Sequence, residues 1–260
     1  MEFLQAAERA ALHISVSQVK LYQHCPKLFE YRYILGAKPE HRSANLVLGT
    51  AVHTGLAGYY LALKDGVVLA DEEVLEAARQ SLEESVKQEP PVLLEEGETV
   101  VDLQATAEKL VRAFLAGVER PDEVLAVEAP FYCDVVDPDT GEIIEEQLTG
   151  YLDAVVRFGD DIVVLEHKTA ARAWSQDQLD FDLQVGLYLA ATGAARVRLQ
   201  VMTKTRVPKL LVHDLVRSER EQREAVVIVC RVLQAIRAGA FWPAPGWACK
   251  TCEYRQRCRG

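Results

Sequence analysis

The change in hydrophobic spacing at Glu123 constrains the fold of this chain most strongly. Upstream, apolar residues recur at helical intervals, whereas downstream they form two β-type runs, Glu123 to Val136 and Ile143 to Phe158. The turn residues Asp137 to Gly141 join these runs, and a second turn at Gly159 to Asp161 leads into a third run, Ile162 to Lys168. We therefore predict three consecutive antiparallel strands within a mixed α/β protein.

Helical periodicity and cap residues mark the remaining elements. Ser15 or Ser17 can cap the first helix, and Pro26 is expected to kink or divide it. The tail from Phe241 onward is too short to form a core of its own. We predict helices over residues 15–33, 46–64, 71–87, 103–119, 175–192 and 218–238, and a further strand over residues 196–205.

Length and composition indicate one globular domain. With 260 residues, 49% of them hydrophobic and 26% charged, the chain can bury a sizeable core, so we expect a single domain over residues 1–260. Met1 to Ser15 lacks the basic start, apolar core and cleavage site of a signal peptide, which predicts a cytoplasmic protein. The uncharged stretch Leu46 to Leu63 contains a histidine and several glycines, and we interpret it as a buried helix and not as a membrane span.

The net charge of −10 argues against a protein that wraps a polyanion with its whole surface. Much of the acid is concentrated between Asp71 and Asp102, and a centre that binds cations must itself be acidic. Local basic groups that could contact phosphates remain, among them Lys20, Lys27, Arg32, Lys204, Arg206, Lys209, Lys250, Arg255, Arg257 and Arg259.

Two neighbouring strands carry an acidic pattern. Alternation with a period of two places Asp153 on one face of its strand, and places Glu166 and Lys168 together on one face of the next strand. Such carboxylates can hold Mg²⁺ or Mn²⁺, which lowers the pKa of a bound water, while the lysine orients that water or offsets negative charge. This set of groups suits phosphodiester hydrolysis. The alternative is a solvent-facing ladder of salt bridges, because the pattern is short and common.

Two helical segments add polar candidates. His53 lies beside the buried stripe of its helix, in Gly49-Thr50-Ala51-Val52-His53, and Gln184 and Tyr188 share a helix face because they are four residues apart. Taken alone, each of them is more typical of a packing residue than of a ligand.

In chain order, these segments resemble the motif series of the RecB-like branch of the PD-(D/E)XK nuclease superfamily. The series is Gly49 to His53, Gly150 to Asp153, Glu166-His167-Lys168 and Gln184 to Tyr188, and with the cysteines below it spans Ser15 to Cys258. The resemblance implies a restriction-endonuclease-like α/β core with a small mixed central sheet flanked by helices, and N-terminal helices joined to the C-terminal tail at a metal cluster.

The resemblance also implies a role for each matched residue. His53, Asp153 and Glu166 would bind the catalytic Mg²⁺ or Mn²⁺ together with the main-chain carbonyl of His167. Lys168 would be the catalytic lysine. Gln184 and Tyr188 would help to place this lysine and the DNA.

Four of the six cysteines form a spaced set. Cys249, Cys252 and Cys258 are close together near the C-terminus, and Cys25 lies far upstream. On spacing alone, four thiolates suit tetrahedral zinc. The segment from Trp242 to Trp247, together with one cysteine before the core and three after it, is similar to the iron–sulfur members of the family. This similarity implies a 4Fe-4S cluster held by parts 15–35 and 241–260, whereas Cys133 and Cys230 are expected to be buried thiols.

The resemblance implies a metal-dependent DNA exonuclease that prefers single strands or DNA ends. The chain is similar both to CRISPR-associated adaptation nucleases and to phage or cellular exonucleases of recombination and repair. A CRISPR integrase or a recombination or repair protein is therefore an expected partner. Two alternatives stay open. One is a catalytically silent DNA-binding or scaffold protein with the same fold, and the other is a zinc-stapled assembly partner.

Overall fold

The computed structural model describes residues 13–260, so most of the N-terminal segment assessed above for a signal peptide lies outside the described residues. The helices are α1 Val16–His24, α2 Pro26–Phe29 continued by a π-helical turn Glu30–Ile34, α3 Ala44–Lys64, α4 Asp71–Val86, α5 Val100–Gly117, α6 Gln176–Asp180, α7 Leu183–Thr192, α8 Glu219–Arg237 and α9 Arg255–Arg259, with a 3₁₀ turn at Trp247–Thr251. The strands are β1 His13–Ser15, β2 Arg42–Ser43, β3 Val92–Leu93, β4 Glu123–Val136, β5 Ile143–Phe158, β6 Asp161–Ala170, β7 Arg196–Thr203 and β8 Leu210–Leu215.

Within residues 13–260, a mixed six-stranded sheet forms the centre of the fold. Strands β4, β5 and β6 pair antiparallel in sequence order, which confirms the predicted meander. Strand β7 joins β6 in parallel, and β8 closes that edge antiparallel to β7. The short β1 pairs in parallel with β5 over Gln147 to Thr149, before β5 begins to pair with β6.

Helices cover both faces of this sheet. We call the layer between the sheet and α3, α4 and α5 the first core; its fully buried members include Leu56, Leu75 and Leu110. We call the layer between the sheet and α1, α7 and α8 the second core; it includes Val19 and Leu187. The fold is therefore the predicted α/β arrangement of a mixed central sheet flanked by helices.

Several boundaries differ from the predicted ones for local reasons. The first predicted helix is divided at Cys25, whose extended backbone (φ −161°) precedes Pro26. The helix predicted over residues 175–192 is two helices, because Asp182 leaves the helical path and caps α7 by accepting from the N–H groups of Gln184 and Val185. Strands β1 and β8 were not predicted, since their short runs are stabilised by pairing partners that are distant in the chain or separated by a loop.

Helix α3 is long and apolar enough, by length and composition, to cross a membrane. In this structure Val47, Leu48, Ala51, Val52 and Leu56 are all at most 3% exposed and pack in the first core. The helix is thus accommodated as the central helix of a globular α/β domain, as the sequence predicts.

The C-terminal tail docks on the N-terminal helices. The backbone N–H of Glu40 donates to Glu253 O at 2.8 Å, and the Tyr254 hydroxyl donates to Ala37 O at 2.9 Å. Tyr254 is 2% exposed and its ring lies 5.6 Å from that of Tyr31. Hydrogen bonds and aromatic packing thus hold the tail against the segment from Tyr31 to Glu40.

Candidate active site

Asp153 lies at a point where strand β5 rotates, so that the residues on its two sides pack in different cores. Residues two apart share a face in a regular strand, yet Ala154 packs in the first core and Leu152 in the second. The pairing between β5 and β6 also ends at Ala154. Beyond this point Asp153 Oδ2 accepts a hydrogen bond from the backbone N–H of His167 at 2.6 Å. The carboxylate is therefore fixed between the two strands at the junction of the two helix layers.

Helix α3 brings His53 to this carboxylate. His53 Nδ1 lies 3.2 Å from Asp153 Oδ1, and the two side chains are 30% and 12% exposed. Burial alone would lower the pKa of His53, but the hydrogen bond and charge of Asp153 outweigh it and raise the pKa above its ordinary value. Burial likewise opposes ionisation of Asp153, but the hydrogen bond from His53 and the neighbouring imidazoles bring its pKa to about 2. Asp153 is therefore ionised at neutral pH.

Glu128 of β4, which the sequence does not predict as a site residue, completes a set of three side chains that carry potential metal ligands. Ligand atoms of His53, Glu128 and Asp153 all lie within 4.8 Å of one another. Glu128 has a φ of 47°, a left-handed conformation that is strained for a residue other than glycine. Its neighbours Val127 and Ala129 pack in different cores, so this strained residue is the point where β4 turns over beside Asp153.

The sequence contains a signal for Glu128, because it is an isolated acid in an apolar run on the strand predicted to pair with that of Asp153. The turn residues alone do not identify its partner in β5, however. An irregularity between Asp134 and Val135 shifts the register of β4 against β5, and such a bulge changes which residues face each other.

Glu166 and Lys168 lie on β6 beside this set, on the face that α7 covers. Lys168 Nζ donates to Glu166 Oε1 and, at 3.0 Å, to Gln184 Oε1. Gln184 Nε2 in turn donates to the Tyr188 hydroxyl at 2.6 Å, which donates to Tyr151 O at 2.9 Å. A continuous chain of hydrogen bonds therefore runs from β5 through α7 to the lysine.

The electrostatics keep this lysine charged. Burial acts to lower the pKa of Lys168, but the charge and hydrogen bond of Glu166 overcome it and raise the pKa above its usual value. Burial raises the pKa of the Glu166 carboxyl, and Lys168 works against that shift. The side chain of Lys168 is 28% exposed, compared with 6% for Glu166, so the ammonium group can still meet solvent or a ligand.

His167 presents only its backbone to this centre. Its ring is 2% exposed and stacks on Tyr60 in the first core, with ring centroids 5.5 Å apart and an interplanar angle of 13°. Neither ring nitrogen has a hydrogen-bond partner among the described residues, and burial lowers the pKa of His167 to about 4. The imidazole is therefore neutral and structural.

Glycines in two of the sequence motifs allow close packing around the centre. A Cβ at Gly150 would lie 2.5 Å from the ring of Phe131, which packs edge-on against Tyr188. A Cβ at Gly186 would lie 3.0 Å from Ala225 Cβ, where α7 crosses α8. Small residues at these positions let α7 approach the sheet closely enough for Gln184 to reach Lys168.

The four cysteines of the spaced set meet at the docked tail. Cys25, Cys249, Cys252 and Cys258 all line one small cavity of about 30 Å³, and none of them is in a disulfide. Burial raises the pKa of Cys252, and the neighbouring Cys249 and Cys25 act in the same direction. The cavity is also lined by Lys27, Arg255 and Arg259, which are suited to offset the charge of thiolates.

The donor chemistry fits a divalent cation at the acidic centre. Carboxylate oxygens of Asp153 and Glu128 and an imidazole nitrogen of His53 converge at the junction of β4, β5 and α3. Such a mixed oxygen and nitrogen set accepts Mg²⁺ or Mn²⁺. Glu166 lies outside this close set, and its carboxylate accepts instead from Lys168.

The structure places the candidate catalytic residues of the sequence motifs in two adjoining groups. Asp153 contacts His53 and the His167 backbone, while Glu166, Lys168, Gln184 and Tyr188 form the adjoining hydrogen-bonded chain. Cys133 and Cys230 belong to the second core and not to the cysteine cavity.

Comparison with known families gives one match over nearly the whole chain. The model of the PD-(D/E)XK nuclease superfamily matches residues 13–259. A search of curated proteins finds no match.

Comparison with solved structures gives matches at low sequence identity. A crystal structure of a protein from Eubacterium rectale, provisionally described as an exonuclease, matches with a TM-score of 0.54 and 16% identity, over 97% of this chain and 90% of that one. The crystal structure of SSO0001 matches at 16% identity over 93% of this chain and 94% of that one, with a TM-score of 0.40. The first of these likenesses concerns the fold alone, and the second is too low to add to it.

Proposed function

The chain belongs to the PD-(D/E)XK nuclease superfamily, and from this premise we propose that it is a divalent-metal-dependent DNA exonuclease of the RecB-like type. One observation carries the proposal. His53, which is a hundred residues upstream, contacts Asp153, and the Glu166–Lys168 pair of β6 lies on either side of His167, whose N–H donates to the same carboxylate. Carboxylates beside a lysine at one junction of the sheet suit metal-assisted phosphodiester hydrolysis.

We assign the catalytic metal to His53, Asp153 and Glu166, with the His167 carbonyl and Glu128 as additional oxygen donors. When bound, a divalent cation polarises the phosphodiester and lowers the pKa of water in contact with it. Asp153 is suited to this role because it is ionised and its position is fixed by the His167 N–H.

The protein's own groups supply orientation and charge. Lys168 keeps its proton beside Glu166 and is held by Gln184, so its ammonium group can orient the attacking water and offset negative charge on the phosphate. Tyr188 fixes Gln184 and is itself tied to the backbone of β5. Gln184 and Tyr188 are therefore positioning residues in this proposal.

We further propose that Cys25, Cys249, Cys252 and Cys258 hold a 4Fe-4S cluster with a structural role. Their shared cavity and its cationic lining support an anionic group at this place. The similarity of the four-cysteine pattern to that of the iron–sulfur members of the family favours a cluster over zinc.

The expected substrate, location and biological role follow from the resemblance of the motifs to the RecB-like family. We expect single strands or DNA ends as substrate, one domain over residues 1–260, and a cytoplasmic location, where reducing conditions keep free thiols available as ligands. The biological role would be CRISPR adaptation or recombination and repair, with an integrase or a repair protein as partner. A catalytically silent DNA-binding protein is the rival reading, and the presence of all four central residues argues against it.

Degradation of end-labelled DNA tests the enzymatic proposal. Single-stranded and double-stranded substrates would be incubated with Mg²⁺, Mn²⁺ or EDTA, and the product ladder read over time. We expect cleavage from an end that requires the metal and is faster on single strands. Absence of cleavage by a cluster-loaded sample in either metal would favour the silent binding protein.

Metal analysis of anaerobically purified protein tests the cluster. We expect iron and acid-labile sulfide in equal amounts, about four of each per chain. Stoichiometric zinc in a colourless, iron-free sample would show that the four cysteines bind zinc and not an iron–sulfur cluster.

A further inference from the structure

A cleft of about 870 Å³ opens beside the candidate active site. It is bordered by the N-terminus of α3, the segment after β3, the end of β7 and the C-terminal tail, and its lining includes Asn45, Lys204, Trp247 and Lys250. None of these residues has a role in the chemistry described above.

Two elements of the active site lead into this cleft. Asn45, Gly49 and His53 follow one another at intervals of four along α3, so the cleft end of that face is about 12 Å from His53. On the sheet, Lys168 pairs with Val201, and Lys204 follows three residues later, about 10 Å further along the strand direction. The backbone N–H of Lys204 donates to Ala170 O at 2.7 Å, which fixes the lysine beyond the end of β6.

Two lysines and the N-terminus of a long helix border the cleft. Lys204 Nζ donates to Asn45 Oδ1 in the first turn of α3, and Lys250 projects from the tail. The Ser43 side chain makes no cap hydrogen bond, so it does not satisfy the N-terminal N–H groups of this 21-residue helix. Two lysines and a helix N-terminus together suit a phosphate backbone.

The other surfaces of the cleft suit bases. Trp247 is 85% exposed although it is a large aromatic residue, and an exposed ring at the rim of a basic cleft is a stacking surface for a base. Leu93 and Leu94 offer apolar contact, and Glu95 and Glu98 offer acceptors for amino groups of bases. The charge of both acids also acts on Lys204, so a phosphate must lie on the side of that lysine where it contacts Asn45 at the N-terminus of α3.

We propose that this cleft binds single-stranded DNA next to the scissile phosphate, with a base stacked on Trp247 and phosphates at Lys204 and Lys250. The proposal deepens the proposed nuclease function and rests on it for the identity of the ligand. A duplex has its bases paired and stacked internally, so the Trp247 contact selects single strands. The docked tail would thus contribute to substrate binding in addition to closing the fold.

Binding without cleavage tests the cleft separately from catalysis. Cluster-loaded protein in EDTA would be titrated into a fluorescent single-stranded oligonucleotide, and affinity measured by anisotropy. We expect Trp247→Ala to weaken binding about tenfold and Trp247→Tyr, which keeps an aromatic ring, to stay within about twofold of the native protein. The matched control is Trp242→Ala, because Trp242 is 54% exposed but lines a different pocket.

Salt dependence tests the lysines. Lys204→Ala and Lys250→Ala should each reduce the slope of log affinity against log salt concentration by about 0.7, the value for one phosphate contact on a single strand. Lys64→Ala, an exposed lysine at the far end of α3, should leave the slope unchanged. Iron content and thermal unfolding show whether each variant retains the docked tail. If Trp247→Ala loses the cluster, Lys204→Ala decides the outcome, because Lys204 lies outside the tail.

The two proposals fail in different ways. Native affinity in Trp247→Ala, together with native salt slopes in both lysine variants, would contradict DNA binding in the cleft. The nuclease proposal would still be supported if the protein hydrolysed bis(p-nitrophenyl) phosphate in a reaction that depends on Lys168. Conversely, Trp247-dependent binding without any metal-dependent hydrolysis would uphold the cleft and overturn the nuclease.

Discussion

At the scale of single residues, the centre depends on how Asp153 is held. Its two oxygens are engaged by the His53 ring and the His167 N–H, so the carboxylate has little freedom to rotate. Both contacts come from elements that also pack the first core, which couples ligand geometry to the fold. A site built in this way is preorganised for a cation by its neighbours.

Glu128 gives the first prediction at this scale. Glu128→Gln keeps the shape of the side chain but removes its negative charge from the set formed with His53 and Asp153. We expect the affinity for Mn²⁺ to fall at least about tenfold in a calorimetric titration of metal-free protein.

The control for this titration is Glu145→Gln, which changes an exposed glutamate of the same hairpin and should leave Mn²⁺ affinity as in the native protein. Equal affinity of native and Glu128→Gln protein would show that Glu128 takes no part in metal binding, and its strained φ would then need another explanation.

At the scale of elements, helix α3 connects the first core, the candidate metal centre and the cleft. It must approach α4 closely, and Gly55 makes this possible. A Cβ at Gly55 would lie 2.9 Å from Val74 O and 3.1 Å from Ala78 Cβ, whereas a Cβ at Gly58, one turn later, would meet nothing within 4 Å.

These two glycines provide a matched pair for stability. Gly55→Ala should lower the free energy of unfolding by about 1 to 3 kcal/mol, because the backbone of α4 must move. Gly58→Ala should raise it by up to about 1 kcal/mol, because alanine favours the helix and finds open space. Urea unfolding of both variants measures the difference, and a Gly55→Ala variant as stable as Gly58→Ala would mean that α3 and α4 pack less closely than described.

At the scale of the whole molecule, the cysteine cavity joins the two ends of the described chain. Noncovalent contacts, such as the ion pair of Glu253 with Arg32 and the packing of the buried Tyr254 ring on Tyr31, already hold the tail in place. A cluster held by Cys25 and the three tail cysteines would cross-link a loop that contains nearly the entire chain.

Loss of one ligand should therefore affect stability as well as colour. We expect Cys258→Ser to lose most of its iron and to unfold at a midpoint about 5 °C or more below that of the native protein. Cys133→Ser, which changes a half-buried thiol outside the cavity, serves as the control and should keep its iron. Undiminished iron and an unchanged midpoint in Cys258→Ser would remove this cysteine from the ligand set.

Much of this architecture can be predicted from the sequence where short-range patterns decide it. The β4 to β6 meander follows from turn residues between apolar runs, and the positions of His53, Asp153, Glu166 and Lys168 follow from motif order. Glu128 was missed because a bulge shifts the register of β4. The cleft was also missed, because Lys204 and Trp247 come together only through long-range packing that no local pattern encodes.

The most direct test of the account is single-turnover cleavage of a labelled single strand in saturating Mn²⁺ by native protein, Lys168→Ala and the control Lys64→Ala. We predict that Lys168→Ala lowers the cleavage rate at least about a hundredfold while Mn²⁺ still binds, because it removes the charged group and not the ligands of the metal. The control should cleave at the native rate. Cleavage by Lys168→Ala at the native rate would contradict the assignment of the active site.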